Sequence, residues 1–156
     1  MDNETRTELI ATYRDGHRAV VEAVEGATDA ELDARPGPDD WSARMVVHHL
    51  ADSETTSSIR LRKLLAEDRA DIQGYDEMEF ARRLHYDRPI EASLEVLRAV
   101  RTSTAELLDR MTEADWSREG VHTESGRYGT QDWLRIYSTH AHDHADQIRR
   151  ARVAPR

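Results

Sequence analysis

The chain has 156 residues, 31 acidic and 22 basic side chains, a formal net charge of −9 and 38% apolar content. That suits one domain over 1–156, with a core over about 5–151. The acid excess argues against nucleic acid as a partner, no run approaches the ~18 apolar residues of a membrane span, and zero cysteines exclude disulfides and thiolate metal sites. The opening MDNETRTELI lacks the basic start and apolar stretch of a secretory leader, so a cytoplasmic protein is expected.

Helical spacing dominates the chain. Leu9, Ile10, Tyr13, Val20, Val21 and Val24 recur at steps of three and four, which predicts a first helix over 5–25, ended by Gly26. Thr28 and Glu31 make a capping box for a short helical turn, and Arg35-Pro-Gly-Pro38 makes a loop. Ser42 caps a second long helix to about Glu67, whose apolar face carries Val46, Leu50, Leu61 and Leu64 together with Ser53 and Ser57. Asp76 caps a short helix through Leu84. Pro89 suits the first position of a third long helix, with a stripe from Ile90 through Leu94 and Leu97 to Met111. Thr112 and Asp115 open another short turn, residues 117–129 read as a loop, and Thr130 caps a fourth helix to about Ala151. The expected fold is all-α: a four-helix bundle with short connecting helices. The connection between the second and third long helices is long enough to cross the bundle, so simple up-down order is not forced.

Eight histidines stand out in a chain without cysteine. At 100° per residue, His49 lies roughly 80° from the centre of the second helix's apolar face, on its flank, and His48 points toward water. On the fourth helix His140 and His144 fall within the stripe of Trp133, Tyr137, Ala141 and Ile148, while His142 points away. His140 and His144 are an i, i+4 pair on one ridge. Such a pair can share one metal ion, and His49 is the candidate third ligand from a facing helix. Three neutral imidazoles leave coordination positions open, which is the catalytic pattern. The bland alternative is three histidines hydrogen-bonded to neighbours. No H-E-x-x-H, P-loop or nucleophile elbow is present.

The run Trp41-Ser-Ala-Arg-Met-Val-Val-His-His-Leu-Ala-Asp-Ser-Glu54 resembles the second-helix motif of the DinB/YfiT-like superfamily, in which a ligand histidine follows the Trp by eight residues. Counting from Trp41 reaches His49. His122-Thr-Glu-Ser-Gly126 resembles the family's loop before the last helix, with Thr123 where Pro is usual. Tyr137-Ser-Thr-His-Ala-His-Asp-His-Ala-Asp-Gln-Ile148 resembles the last-helix motif, with His140 and His144 at its ligand positions. The resemblance implies a four-helix bundle of unusual helix order, one Zn²⁺ or Ni²⁺ on three histidines, and frequent homodimers. It also implies metal-dependent hydrolysis, or transfer of a low-molecular-weight thiol such as bacillithiol as co-substrate. Asp143 and Gln147 replace the His or Gln usual beside the second ligand.

His17 sits in the middle of the first helix's stripe and is expected to face the interior near the metal as a pocket residue. Tyr137, one turn before His140, and Gln147, one turn past His144, are the other pocket candidates. Trp41 and Trp133 read mainly as anchors of helix ends in the core, Asp52 and Asp143 as carboxylates flanking the ligand faces, and His122 as lining a pocket mouth or capping its loop. Three function classes follow: a metalloenzyme acting on a small molecule, a non-catalytic metal-binding stress protein, and an interaction bundle without metal. Within the first, thiol transfer to small electrophiles is preferred to hydrolysis, because the resemblance is to the thiol-transferase-like branch, no H-E-x-x-H base is present and no protein cysteine competes for the electrophile.

Overall fold

The computed structural model describes residues 1–153. Four long helices carry the fold: α1 (Asn3–Val24), α3 (Ala43–Ala66), α5 (Glu91–Leu108) and α7 (Thr130–Arg152). Between them lie α2 (Asp29–Leu32), β1 (Ala70–Ile72), α4 (Glu77–Arg83), α6 (Glu113–Trp116), β2 (Glu119–His122) and β3 (Gly126–Gly129). The predicted starts of four helices are realised by side chains. Thr28 and Thr112 form capping boxes with Glu31 and Asp115, and Ser42 and Asp76 accept from Met45 and Glu79 backbone N–H groups.

The main helix contacts run α1 to α7 and α5, and α3 to α5 and α7. Consecutive long helices α1 and α3 therefore sit across a diagonal, as do α5 and α7, which is not up-down order. This arrangement covers α3 on two sides, and its burial extends well beyond its apolar stripe.

The diagonal is bridged by polar groups. Tyr13 on α1 donates its hydroxyl to Glu54 on α3 at 2.9 Å, and Arg101 on α5 pairs with the same carboxylate, all three side chains being fully or almost fully buried. Arg101 also donates through Nε to the Tyr13 carbonyl at 3.0 Å. Gly16 makes this possible, since a Cβ there would stand 2.6 Å from Arg101 Nη2 and 2.7 Å from the Ala141 Cβ.

Residues 117–129, expected as a loop, contain a hairpin. β2 pairs antiparallel with β3 and parallel with β1, giving the order β1-β2-β3. The strands have only three or four residues and several exposed polar positions, too short to show alternation. Gly126, at φ +77°, turns the hairpin. Arg118 fastens it to the bundle by donating to the Leu64 and Glu67 carbonyls at the end of α3.

Two helix starts shift. Asp132 reaches back to the Gly129 N–H at 2.9 Å, so Gly129 is the cap of α7, and Thr130 instead gives its hydroxyl to the Asp115 carbonyl. Pro89 precedes rather than opens α5, whose cap is Ile90. Among the described residues no helix is long and apolar enough to cross a membrane.

Candidate metal centre

His49 comes from the second turn of α3, and His140 and His144 from successive turns of α7. α3 and α7 pack face to face, which brings the three rings together. Ring centroids are 5.6 Å apart for His49–His140, 4.8 Å for His49–His144 and 4.6 Å for His140–His144. One possible ligand atom from each lies within 4.8 Å of the others. A tetrahedral ion with bonds of about 2.0–2.1 Å holds its donors roughly 3.4 Å apart, so modest ring rotations close the set.

Two features fit the cluster to a metal. The buried Nδ1 atoms of His49 and His140 have no hydrogen-bond partner among the described residues, unusual for imidazoles in a core. Burial, together with the neighbouring histidines, also pushes His49 and His140 down to about 3, and burial lowers His144, so all three are neutral near pH 7. Neutral imidazole is the form that binds metal.

Gln147 orients the third histidine of the cluster. Its side-chain oxygen lies 2.7 Å from His144 Nδ1. A carbonyl oxygen only accepts, so Nδ1 carries the hydrogen and Nε2 keeps its lone pair. Tyr137 is buried, its ring 5.5 Å from His140, and its hydroxyl accepts from Arg60 at 3.2 Å. Trp133 is fully buried and anchors α7 through a bond to the Ser57 carbonyl. Trp41, in contrast, is only half-buried and forms a wall of the site, its ring 4.9 Å from His49.

His48 departs from expectation. It is wholly buried, with Nδ1 2.7 Å from Ser93 Oγ and Nε2 2.9 Å from the Arg88 carbonyl. The carbonyl accepts, so Nε2 is the protonated nitrogen and Nδ1 accepts the Ser93 hydroxyl. α5 covers this side of α3, which a single apolar stripe could not reveal.

His17 is not part of the cluster. It is half-buried on the α1–α5 side, lining a cavity of about 260 Å³ with Arg14, Arg98 and Arg101. α1 touches α5 as well as α7, so an inward position on α1 can face either. His142 points away from the cluster but meets α1, with Nε2 3.1 Å from the Thr12 carbonyl. Asp52 accepts the Tyr86 hydroxyl at 2.7 Å and orients no imidazole, and Asp143 is exposed. His122 caps its loop, accepting from the Glu124 N–H at 3.2 Å.

Sequence reading found Tyr137 but missed Arg60, Tyr75 and Tyr128 beside it. Arg60 continues the face of α3 that carries His49, Ser53 and Ser57, so helical spacing was a usable signal. Tyr75, on the link between β1 and α4, gave none.

Residues 12–148 match the model of the DinB superfamily. The chain belongs to the DinB superfamily. A protein of Oceanobacillus iheyensis provisionally named a metal-dependent hydrolase is 33% identical over 141 residues, covering 90% of this chain and 82% of that one. A similarly named protein of Geobacillus thermodenitrificans is 34% identical over 146 residues, covering 90% and 80%. The solved structure of YfiT from Bacillus subtilis superposes with a TM-score of 0.91 at 27% identity, covering 97% of this chain and 87% of that one. That protein is described provisionally as a metal-dependent hydrolase with an unusual four-helix bundle topology, in keeping with the diagonal placement of α1 and α3 here.

Proposed function

We propose that this DinB protein transfers a low-molecular-weight thiol to small electrophiles at one divalent ion, zinc or nickel, held by His49, His140 and His144. The donor set carries this reading: three neutral imidazoles converge, and the carboxylates on the adjoining turns of α3 are engaged elsewhere. Asp52 holds Tyr86, and Glu54 holds Arg101 and Tyr13. A divalent ion bound there supplies positive charge that three neutral ligands leave uncancelled, which acidifies a thiol or a water placed beside it.

The chain's own residues arrange this chemistry. Gln147 keeps His144 in the tautomer with a bare Nε2. Trp41 walls the site beside His49, and Tyr137 presents a hydroxyl one turn from His140. The chain has no cysteine, so the thiol comes from outside and meets no competing protein sulfur. In the transfer the thiol proton passes to solvent, the sulfur lone pair forms the new carbon–sulfur bond, and the leaving group departs with its bonding pair. When the electrophile is an epoxide, the opened oxygen takes up a proton instead.

Hydrolysis is the second reading, favoured by the provisional names of the relatives. A carboxylate base beside the metal would assist peptide or ester cleavage, and Asp52 and Glu54 are engaged with Tyr86 and with Arg101 and Tyr13. The test offers metal-loaded protein a chlorodinitrobenzene or an epoxide with a panel of thiols. Metal-dependent conjugate formation, lost in His140→Ala, is expected. Cleavage of an ester or amide that needs metal but no thiol would replace this reading with the hydrolase.

A further inference from the structure

A second cluster lies one turn along α7 from the histidines. Tyr137 separates His140 from Arg60, and Arg60 Nη1 donates to the Tyr137 hydroxyl at 3.2 Å. The Arg60 guanidinium stands 5.8 Å from the centre of the Tyr75 ring, and Tyr128 from β3 senses the charge of Arg60 and the proximity of Tyr137. Three buried polar atoms here have no hydrogen-bond partner among the described residues: Arg60 Nε, Tyr75 Oη and Tyr128 Oη. Ser53 is a hydrogen-bonding neighbour of the Tyr75 hydroxyl, at longer than ordinary hydrogen-bond range.

All the unmet hydrogens belong to donors. An arginine Nε–H can only donate, and a phenol keeps its hydrogen unless it ionises. Burial raises Tyr75 to about 12 and raises Tyr128 and Tyr137 as well, so all three keep their hydrogens at neutral pH. Arg60 forms no ion pair with any described carboxylate, although Glu77 of α4, with Glu124 beside it, faces it. Arg60 also donates through Nη2 to the Gln73 carbonyl at 2.6 Å. What is left unmet is its Nε–H and the two phenol hydrogens, three donors that stand beside a cation no described carboxylate bonds directly and that suit an acceptor-rich anion. A carboxylate supplies two oxygens in one plane, matched to a guanidinium edge and flanking phenols.

We infer that Arg60, Tyr75, Tyr128 and Tyr137 form a carboxylate subsite of the metal centre, so that the thiol substrate is a small acid whose carboxylate binds there while its sulfur lies at the histidines. The subsite rests on the thiol-transfer reading for the identity of the reacting end, but not for the anion. The side chain of Tyr137 touches both halves, which gives the substrate a fixed direction along the α3–α7 face.

The test measures binding by calorimetry on metal-loaded protein. The probes are mercapto-acids from 3-mercaptopropionate to 6-mercaptohexanoate, each against its own amide, with the sulfur-free acids as a third set. At least one acid should bind about tenfold or more tightly than its amide, the worth of charge-assisted hydrogen bonds. Arg60→Gln should abolish that preference while leaving metal content and amide affinity unchanged. Tyr75→Phe, which removes only a hydroxyl, should weaken the preference and guards against misfolding of the arginine variant. Equal affinity for acid and amide at every length, or a preference that survives both substitutions, would overturn the subsite and leave these donors to bound water. If sulfur-free acids bind as tightly as mercapto-acids and still depend on Arg60, the subsite stands and the thiol reading fails.

Discussion

His48 and His49 are neighbours on α3, both buried, and they meet opposite surroundings. His48 has a partner on each nitrogen, Ser93 and the Arg88 carbonyl, and so joins α3 to α5 and the segment before it. His49 has no partner on its buried Nδ1 and faces two further histidines across the α3–α7 contact. Burial alone therefore does not separate a structural imidazole from a ligand. The separating property is whether the core satisfies both ring nitrogens. An unsatisfied buried polar atom carries a desolvation penalty of about 1–3 kcal/mol; Ser93 offsets it at His48, and at His49 a bound ion would.

The sharpest break of this comparison exchanges the two residues' fates. His49→Ala and His140→Ala should lose the bound metal, taking a protein with about one ion per chain to near none by elemental analysis of untagged protein. His48→Ala should keep its ion yet unfold more easily, by roughly 1–3 kcal/mol, because Ser93 and the Arg88 carbonyl lose a buried partner. Equal metal retention by the His48 and His49 variants would dissolve the distinction.

The buried pair of Glu54 and Arg101 belongs with His48. It lies near the histidines but is saturated, with Tyr13 completing the carboxylate. Glu54→Ala leaves Arg101 an uncompensated buried cation and should destabilise the fold by about 3–5 kcal/mol in denaturant unfolding. Metal stoichiometry measured on the folded fraction should not change. Loss of metal in that variant would mean that the two polar regions are one.

Gln147 tests the other side of the comparison, since it satisfies one nitrogen of His144 and leaves the other bare. Gln147→Ala frees His144 to adopt either tautomer, and metal affinity should fall about 10–100-fold with little loss of stability. Gln147→Glu keeps an acceptor at the same place and should restore most of the affinity, a rescue that a simple packing role would not produce.

Local signals made most of this legible from the sequence, and long-range covering hid the rest. The long helices announced themselves by stripes, and Thr28, Ser42 and Thr112 by capping chemistry that needs only residues three apart. His140 and His144 share a ridge by helix geometry alone, so their pairing required no knowledge of the fold. His48 was misplaced because its burial depends on α5, a partner that its own helix does not encode, and Ser93 gives no apolar signal. His17 turned to α5 rather than to the cluster for the same reason. The hairpin escaped because its strands are held by the parallel pairing with β1 and by Arg118 at the end of α3, contacts between segments some fifty residues apart, and not by strand-forming residues.

The smallest effect is expected where polar groups are satisfied at the surface rather than in the core. Glu79 on α4 takes hydrogen bonds from Arg82 and Arg83, which hold its carboxyl down to about 2. A carboxyl lowered on folding stabilises the native state above its unfolded value near 4.5, and that contribution fades as the pH falls from there through about 2. Glu79→Gln should therefore lower the unfolding temperature slightly at pH 7, by less as the pH approaches 2, and make no difference below it. The pair is exposed, so added salt should erase the difference at pH 7 as well. The Glu54 pair, sealed from ions by the bundle, should show the same destabilisation on Glu54→Ala at low and high salt. A salt-insensitive Glu79 together with a salt-sensitive Glu54 would reverse the assignment of which polar contacts the bundle encloses.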